Sequence, residues 1–125
     1  MSVIKYEVQV DSKGTKTWCL NGTLHREDGP AIESTNGYKS WYINGQLHRE
    51  DGPAIEEADG RKEWYIKGKL HREDGPAIEY SNGGKEWYLN GEELTESQFN
   101  KRTKIKEMTI TEIQEALGYK IKVIE

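Results

Sequence analysis

The polar and apolar positions of this chain change character twice. From Val3 to Val10 they alternate strictly, with Ile4, Tyr6, Val8 and Val10 set against Lys5, Glu7 and Gln9, the period-two pattern of a half-buried strand. Through Asp11-Ser12-Lys13-Gly14 this opening strand is expected to pair with Thr15 to Leu20. From Thr15 to Gly91 short alternating runs such as Lys39-Ser40-Trp41-Tyr42-Ile43 are cut at fixed intervals by glycine-containing turn signals. Beyond Leu94 helix-start signals replace the turns.

The middle region is a repeat. The cassette Leu24-His25-Arg26-Glu27-Asp28-Gly29-Pro30-Ala31-Ile32-Glu33 returns from Leu47 to Glu56 and from Leu70 to Glu79, at a step of 23 residues. Trp18, Trp41, Trp64 and Trp87 keep the same step, as do Gly22, Gly45, Gly68 and Gly91. Self-similarity of this kind marks a stacked array of supersecondary units. Asn36-Gly37, Asp59-Gly60 and Asn82-Gly83 tolerate positive φ between β-prone segments, a strong hairpin signal. A second turn follows at Asn44-Gly45 and its equivalents Asn21-Gly22, Lys67-Gly68 and Asn90-Gly91. Pro30, Pro53 and Pro76 lack an amide hydrogen and suit the first residue of a strand. Each repeat therefore reads as one β-hairpin, with Ala-Ile-Glu as one strand and Trp-Tyr-Ile/Leu in the other. Alternation places Lys39, Trp41 and Ile43 on one face and Ser40 and Tyr42 on the other. Two strands per repeat at about 4.8 Å each put equivalent side chains about 10 Å apart.

The end of the chain follows a different grammar. Thr95-Glu96-Ser97-Gln98 has capping-box spacing, with Leu94 and Phe99 as a hydrophobic staple, and predicts a short helix from Glu96 to Arg102. A second box pairs Thr109 with Glu112, flanked by Met108 and Ile113, and Gly118 stands just past Leu117 as a stop. Tyr119 to Ile124 then alternates as a last strand. The expected architecture is one mainly β domain over residues 1–125: a cap strand in 1–14, antiparallel hairpin repeats in 15–91, and a cap of two short helices and a strand in 92–125.

Composition narrows the function. With 34% hydrophobic and 32% charged residues and a mean hydropathy of -0.94, the chain lacks material for a thick two-layer core. A net charge of -4 with interspersed signs disfavours general nucleic-acid binding, which concentrates Lys and Arg against phosphates. No run approaches membrane-spanning length, no leader-like segment opens the chain, and Cys19 is the single cysteine. A cytoplasmic protein without membrane contact or internal disulfide is the expectation.

The 23-residue unit with Trp-Tyr-x-Asn-Gly at its heart resembles the MORN family and its bacterial variants over Thr15 to Gly91, which implies a twisted hairpin meander. The His-Arg-Glu-Asp-Gly-Pro-Ala cassette differs from the Gly-rich segment of eukaryotic MORN repeats. Joined to Thr109-Ile110-Thr111-Glu112-Ile113 and Leu117-Gly118-Tyr119-Lys120-Ile121, it is similar to small accessory proteins of tailed bacteriophages. That resemblance implies a bacteriophage setting; together with the repetitive β-architecture it leads to the expectation of a binder of a host protein, such as a defence or toxin component.

His, Arg, Glu and Asp in one segment invite an enzymatic or metal-binding reading. Spacing opposes it, because ligands must meet about 2 Å from one ion while His25, His48 and His71 are expected about 10 Å apart. No metal, cofactor or catalytic residue is assigned. Asp28, Asp51 and Asp74 are expected to cap turn amides, and Arg26 and Glu27 with their equivalents to pair along the stack. The Trp column is expected to pack over the intervening Ala or Ile. The candidate binding residues are His25, Arg26, His48, Arg49, His71 and Arg72 on the cassettes, and Tyr42, Tyr65 and Tyr88 on the opposite face. The first functional reading is a non-catalytic binder and inhibitor of a host protein. Sequestration of a nucleotide or glycan by Arg with Tyr or Trp, and a structural or virion-associated oligomer, are the other two.

Overall fold

The computed structural model describes residues 5–107 and 110–118. Its centre is a ten-stranded antiparallel sheet in chain order: Tyr6–Val10, Lys16–Leu20, Ile32–Glu33, Lys39–Ser40, Ile55–Glu56, Lys62–Glu63, Ile78–Glu79, Lys85–Leu89 and Glu92–Leu94, with Thr23–Leu24 paired beside Lys16–Leu20. The expected mainly β meander of hairpins is the fold observed. Its register alternates charge, since Lys39 lies opposite both Glu33 and Glu56, and Lys62 opposite both Glu56 and Glu79. Cross-strand opposites of this kind contribute about 0.2–1 kcal/mol each.

Two positions further along and on the same face, the same register builds the core. The amide of Trp18 donates to the Ala31 carbonyl at 2.7 Å, that of Trp41 to Ala54 at 2.8 Å and that of Trp64 to Ala77 at 2.8 Å. A row Trp18, Ala31, Trp41, Ala54, Trp64, Ala77, Trp87 thus crosses the sheet on one face, as the expected packing of indoles over intervening alanines requires. Ala31, Ala54 and Ala77 are completely buried. Only a methyl group fits between two indoles at adjacent-strand spacing.

Each central repeat is two hairpins rather than the single one expected. The first, Ile32–Glu33 with Lys39–Ser40, belongs to the sheet; the second, Tyr42–Ile43 with Gln46–Leu47, is a separate ribbon, repeated at Tyr65–Ile66 with Lys69–Leu70. The division falls on the tryptophan. Trp41 donates its amide into the sheet at Ala54, while its carbonyl accepts from the His48 amide at 3.0 Å in the ribbon. A residue bonded in two directions bends the chain out of the sheet.

Two glycine turns therefore serve two purposes. Asn44 (φ +50°) and Gly45 (φ +78°) are both left-handed, the two-residue turn whose twist matches a tight ribbon. At Asn36-Gly37 only Gly37 is left-handed; the Asn36 side chain instead accepts the Tyr38 amide at 3.0 Å, and the Gly37 amide donates to the Ser34 carbonyl at 3.2 Å. The same dipeptide thus closes a three-residue loop in one place and a two-residue loop in the other.

The C-terminal side is capped by helix α1, Glu96–Glu107, which packs against Lys85–Leu89 and Glu92–Leu94. Its predicted start is confirmed atom by atom. The Thr95 amide donates to Gln98 Oε1 at 2.9 Å and the Gln98 amide to Thr95 Oγ1 at 3.1 Å, while Leu94 and Phe99 are buried. The helix runs past the expected Arg102, because Lys101 to Glu107 contains neither glycine nor proline to stop it. Helix α2, Ile110–Leu117, ends as expected at Gly118 (φ +73°), whose amide donates to the Gln114 carbonyl at 2.9 Å. The expected staple residue Met108, the box residue Thr109, the beginning of the opening strand and the final strand from Tyr119 to Ile124 lie outside the described residues.

The ribbon turns yield a stability test. Lys67 holds φ +49° where Asn21, Asn44 and Asn90 stand in the other repeats, and a left-handed residue without a short polar side chain costs about 1–2 kcal/mol. Lys67→Asn is expected to raise the urea midpoint, with a gain of about 1 kcal/mol, measured by tryptophan fluorescence.

Candidate functional site

The cassette folds around its arginine. The guanidinium carbon of Arg26 sits 3.8 Å from the Trp18 ring centroid, that of Arg49 3.8 Å from Trp41, and that of Arg72 3.9 Å from Trp64. Behind each guanidinium lies a glycine. A Cβ placed on Gly29, Gly52 or Gly75 would come within 2.8 or 2.9 Å of the arginine Cζ, so a side chain at these positions would push the guanidinium out of its place. Indole and glycine backbone thus enclose the guanidinium from its two flat sides.

The edge of the guanidinium is also occupied. Arg26 Nε donates to Asp28 Oδ1 at 3.0 Å and Nη1 to the Pro30 carbonyl at 3.1 Å; Arg49 and Arg72 repeat both bonds with Asp51 and Pro53, and with Asp74 and Pro76. Arg49 and Arg72 also reach Glu56 and Glu79 at 3.4 and 3.2 Å. The hydrogen bonds of Asp28, Asp51 and Asp74 go to arginine and not to the turn amides they were expected to cap, because a charged fork is the stronger donor to a carboxylate. Arginine and tryptophan, read separately along the sequence, form one unit.

Each histidine joins two repeats. His25 Nδ1 accepts the Asn44 amide at 2.9 Å, His48 Nδ1 the Lys67 amide at 2.9 Å, and His71 Nδ1 the Asn90 amide at 2.9 Å. An accepting Nδ1 puts the proton of the neutral ring on Nε2. Nε2 faces Glu27, Glu50 and Glu73 at 3.4, 3.5 and 3.7 Å. Two backbone bonds complete each junction: the Arg26 amide to the Tyr42 carbonyl at 3.1 Å and the Gly45 amide to the Leu24 carbonyl at 2.8 Å. The imidazole nitrogen stands in for a main-chain acceptor between them.

On the tyrosine face, Tyr65, Tyr80 and Tyr88 are held by carboxylates of the chain itself. Tyr65 donates to Glu63 Oε1 at 3.2 Å, and the buried Glu63 carboxylate is held by Arg61 at 2.7 Å. Tyr88 has Glu86 and Glu93 carboxylates at 3.2 and 3.1 Å, and Tyr80 donates to Glu86 at 3.0 Å. Burial and the neighbouring Glu63 push the Tyr65 hydroxyl up to about 12. Burial, then Glu93 and Glu86, push Tyr88 up, and burial with Tyr38 raises Tyr42.

Between successive cassettes lie two equivalent open grooves of about 740 and 760 Å³. Trp41 and Ile43 floor the first, Trp64 and Ile66 the second, with cassette residues as walls. The first groove carries four carboxylates, Glu27, Asp28, Glu50 and Asp51, against two guanidiniums whose Nε and Nη1 already hold an aspartate and a proline carbonyl. Those carboxylates are between 80% and 88% exposed, whereas the arginines are 22% and 23% exposed. What the cassettes show to solvent is acid. The signal in the sequence was the count within each cassette, one Arg against Glu27, Asp28 and Glu33. Among the described residues no three His, Cys, Asp or Glu side chains converge as a metal site, and no helix is long and apolar enough to cross a membrane.

Two measurements follow. Arg49→Lys keeps the charge but loses the planar face and the fork, so the urea midpoint should fall by an equivalent of about 2 kcal/mol, with a changed Trp41 emission. For Tyr65, a folded-state value raised above the ordinary one means that its stabilisation is complete below about pH 10 and is lost as pH rises towards 12. Alkaline titration at 295 nm should therefore show tyrosinate appearing together with unfolding in that window, and Tyr65→Phe should weaken the alkaline dependence.

No family model, curated protein or solved structure matches this chain, so its chemistry is read from its own grooves.

Proposed function

We propose that this chain is a non-catalytic binding protein that takes an extended, basic segment of a partner protein along its row of acidic grooves. The observation that supports this most is the translation of one groove, with the same indole and isoleucine floor and the same exposed Glu-Asp rim, into the next. Two strand spacings set the step at about 9.6 Å. A polyproline II segment advances about 9.3 Å per three residues and returns to the same face each time. Lysine or arginine at every third residue of such a segment would meet one carboxylate rim after another, with its aliphatic stem over the groove floor.

The likeness of the cassette and tail to tailed-bacteriophage accessory proteins supports a partner in the host cytoplasm, a defence or toxin component whose basic segment is masked by binding. The MORN-like repeat supplies a rigid surface for that purpose. Sequestration of an anion fits the geometry less well, because Arg26, Arg49 and Arg72 are each already neutralised by an aspartate and the exposed rim around them is acidic.

The test uses a labelled peptide of repeated Pro-Pro-Arg and a scrambled peptide of equal charge. The full chain should bind the periodic peptide more tightly, with an affinity that falls as salt rises. Replacing Glu27, Glu50 and Glu73 together by Gln should weaken it at least about tenfold while leaving the urea midpoint unchanged, since these side chains are exposed. Equal binding of both peptides, or a triple variant that binds as the parent does, would refute the groove reading.

A further inference from the structure

We propose that the strand Tyr6–Val10 is a homodimer interface, pairing antiparallel with the same strand of a second copy about a two-fold axis at Val8. The proposal is independent of the groove reading and rests on other residues.

Hydrogen-bond parity supplies the first argument. The Asn21 amide donates to the Lys5 carbonyl at 2.7 Å and the Asp11 amide to the Thr15 carbonyl at 3.1 Å, in the register that places Val8 opposite Trp18. In an antiparallel pair bonded residues alternate, so Lys5, Glu7, Gln9 and Asp11 face Lys16–Leu20. The amides and carbonyls of Tyr6, Val8 and Val10 then point off the edge of the sheet. Among the described residues this strand pairs with Lys16–Leu20 alone.

Side chains supply the second. The large apolar groups exposed among the described residues are Tyr6, Val8 and Val10, at 52%, 54% and 61%. They are the same three residues. By register Val8 faces Trp18 where the repeats have buried Ala31, and Val10 faces Lys16 where the repeats have Glu33. The opening strand is thus more apolar on this face than the unit it imitates, against the usual blunting of a sheet edge with charge.

Third, the strand is complementary to itself. Pairing Val8 with Val8 of the second copy sets Tyr6 against the second copy's Val10, Glu7 against its Gln9 and Lys5 against its Asp11. All three outward backbone pairs become bonded, the apolar side chains form one continuous row, and opposite charges meet at both ends. The other end of the sheet is closed by α1, where Leu94 and Phe99 are buried and Arg102 forks onto Glu92 at 3.1 and 3.2 Å. Among the described residues the ten-stranded sheet has a helix at its other end and this edge alone without one, so pairing here gives a closed pair and not a filament.

Sedimentation of the full chain between about 1 and 200 µM tests this. The mass should rise from 14.4 kDa towards twice that value, and the amides of Tyr6, Val8 and Val10 should gain hydrogen-exchange protection over the same range. Val8→Lys should remain monomeric with the far-ultraviolet circular dichroism of the parent, and Gln9→Lys, on the other face, should still dimerise. Val8→Pro removes the outward amide without touching a bond to Lys16–Leu20, and should also be monomeric. A parent chain that stays monomeric throughout, including one whose edge amides are protected at every concentration because its own residues 119–124 cover them, overturns the proposal. So does a Val8→Lys protein that dimerises like the parent.

Discussion

The stacking of each arginine between an indole and a glycine is the contact on which the remaining geometry rests. A guanidinium is planar, always charged and weakly hydrated, so it covers a flat apolar ring and keeps its hydrogen-bonding edge free for acceptors. Here that edge takes the aspartate two residues on and the proline carbonyl four residues on, so one side chain organises the whole loop from Arg26 to Pro30. Remove the fork and the loop loses its centre, the indole loses its cover, and the carboxylates lose their fixed positions on the rim. The glycine is part of the same contact, since a single methyl would meet the guanidinium. This explains why Arg, Asp, Gly and Pro travel together through three repeats.

A sheet of two-residue strands has few bonds per strand, and the junctions between repeats compensate. The imidazole nitrogen fills one acceptor position in each junction, between two main-chain bonds, and so binds the ribbon of one repeat to the cassette of the one before. Contacts of this kind reach only the nearest neighbour, which makes stability close to a sum over repeats and their junctions. The thin core follows. Ala31, Ala54 and Ala77 between the tryptophans and Leu94 with Phe99 under the cap are most of the fully buried apolar side chains among the described residues.

The period, the turns, the cap and the face of each tryptophan were legible because each follows from local chemistry: positive φ at glycine, a missing amide at proline, a capping box at Thr95 and Gln98. The second hairpin was not. It depends on Trp41 directing its amide and its carbonyl to different partners, and nothing in Lys-Ser-Trp-Tyr-Ile announces a change of partner within an unbroken alternation. The cassette chemistry was legible by residue type but not by direction. Arg26 and His25 belong to the residue classes that bind ligands, and here those same capacities are spent on Asp28, Pro30 and Asn44, leaving Glu27 and Asp28 outward. A ladder of one arginine against three acids per cassette was visible, yet only the contact of arginine with tryptophan shows which of the four charges is withdrawn from solvent.

The two faces of the sheet differ in how well they repeat, and that difference bears on what a partner could read. On the cassette face the same bonds recur three times within a few tenths of an ångström. On the other face the equivalent positions are Ser40, with a buried hydroxyl lacking a partner, then Glu63 held by Arg61 and Tyr65, then Glu86 held by Tyr80 and Tyr88. Translation is therefore a property of one face alone. A ligand that gains affinity by meeting the same site at every step has only the groove face to meet. A ligand on the tyrosine face would meet a different surface in each repeat, and the array would offer it no advantage over a single site.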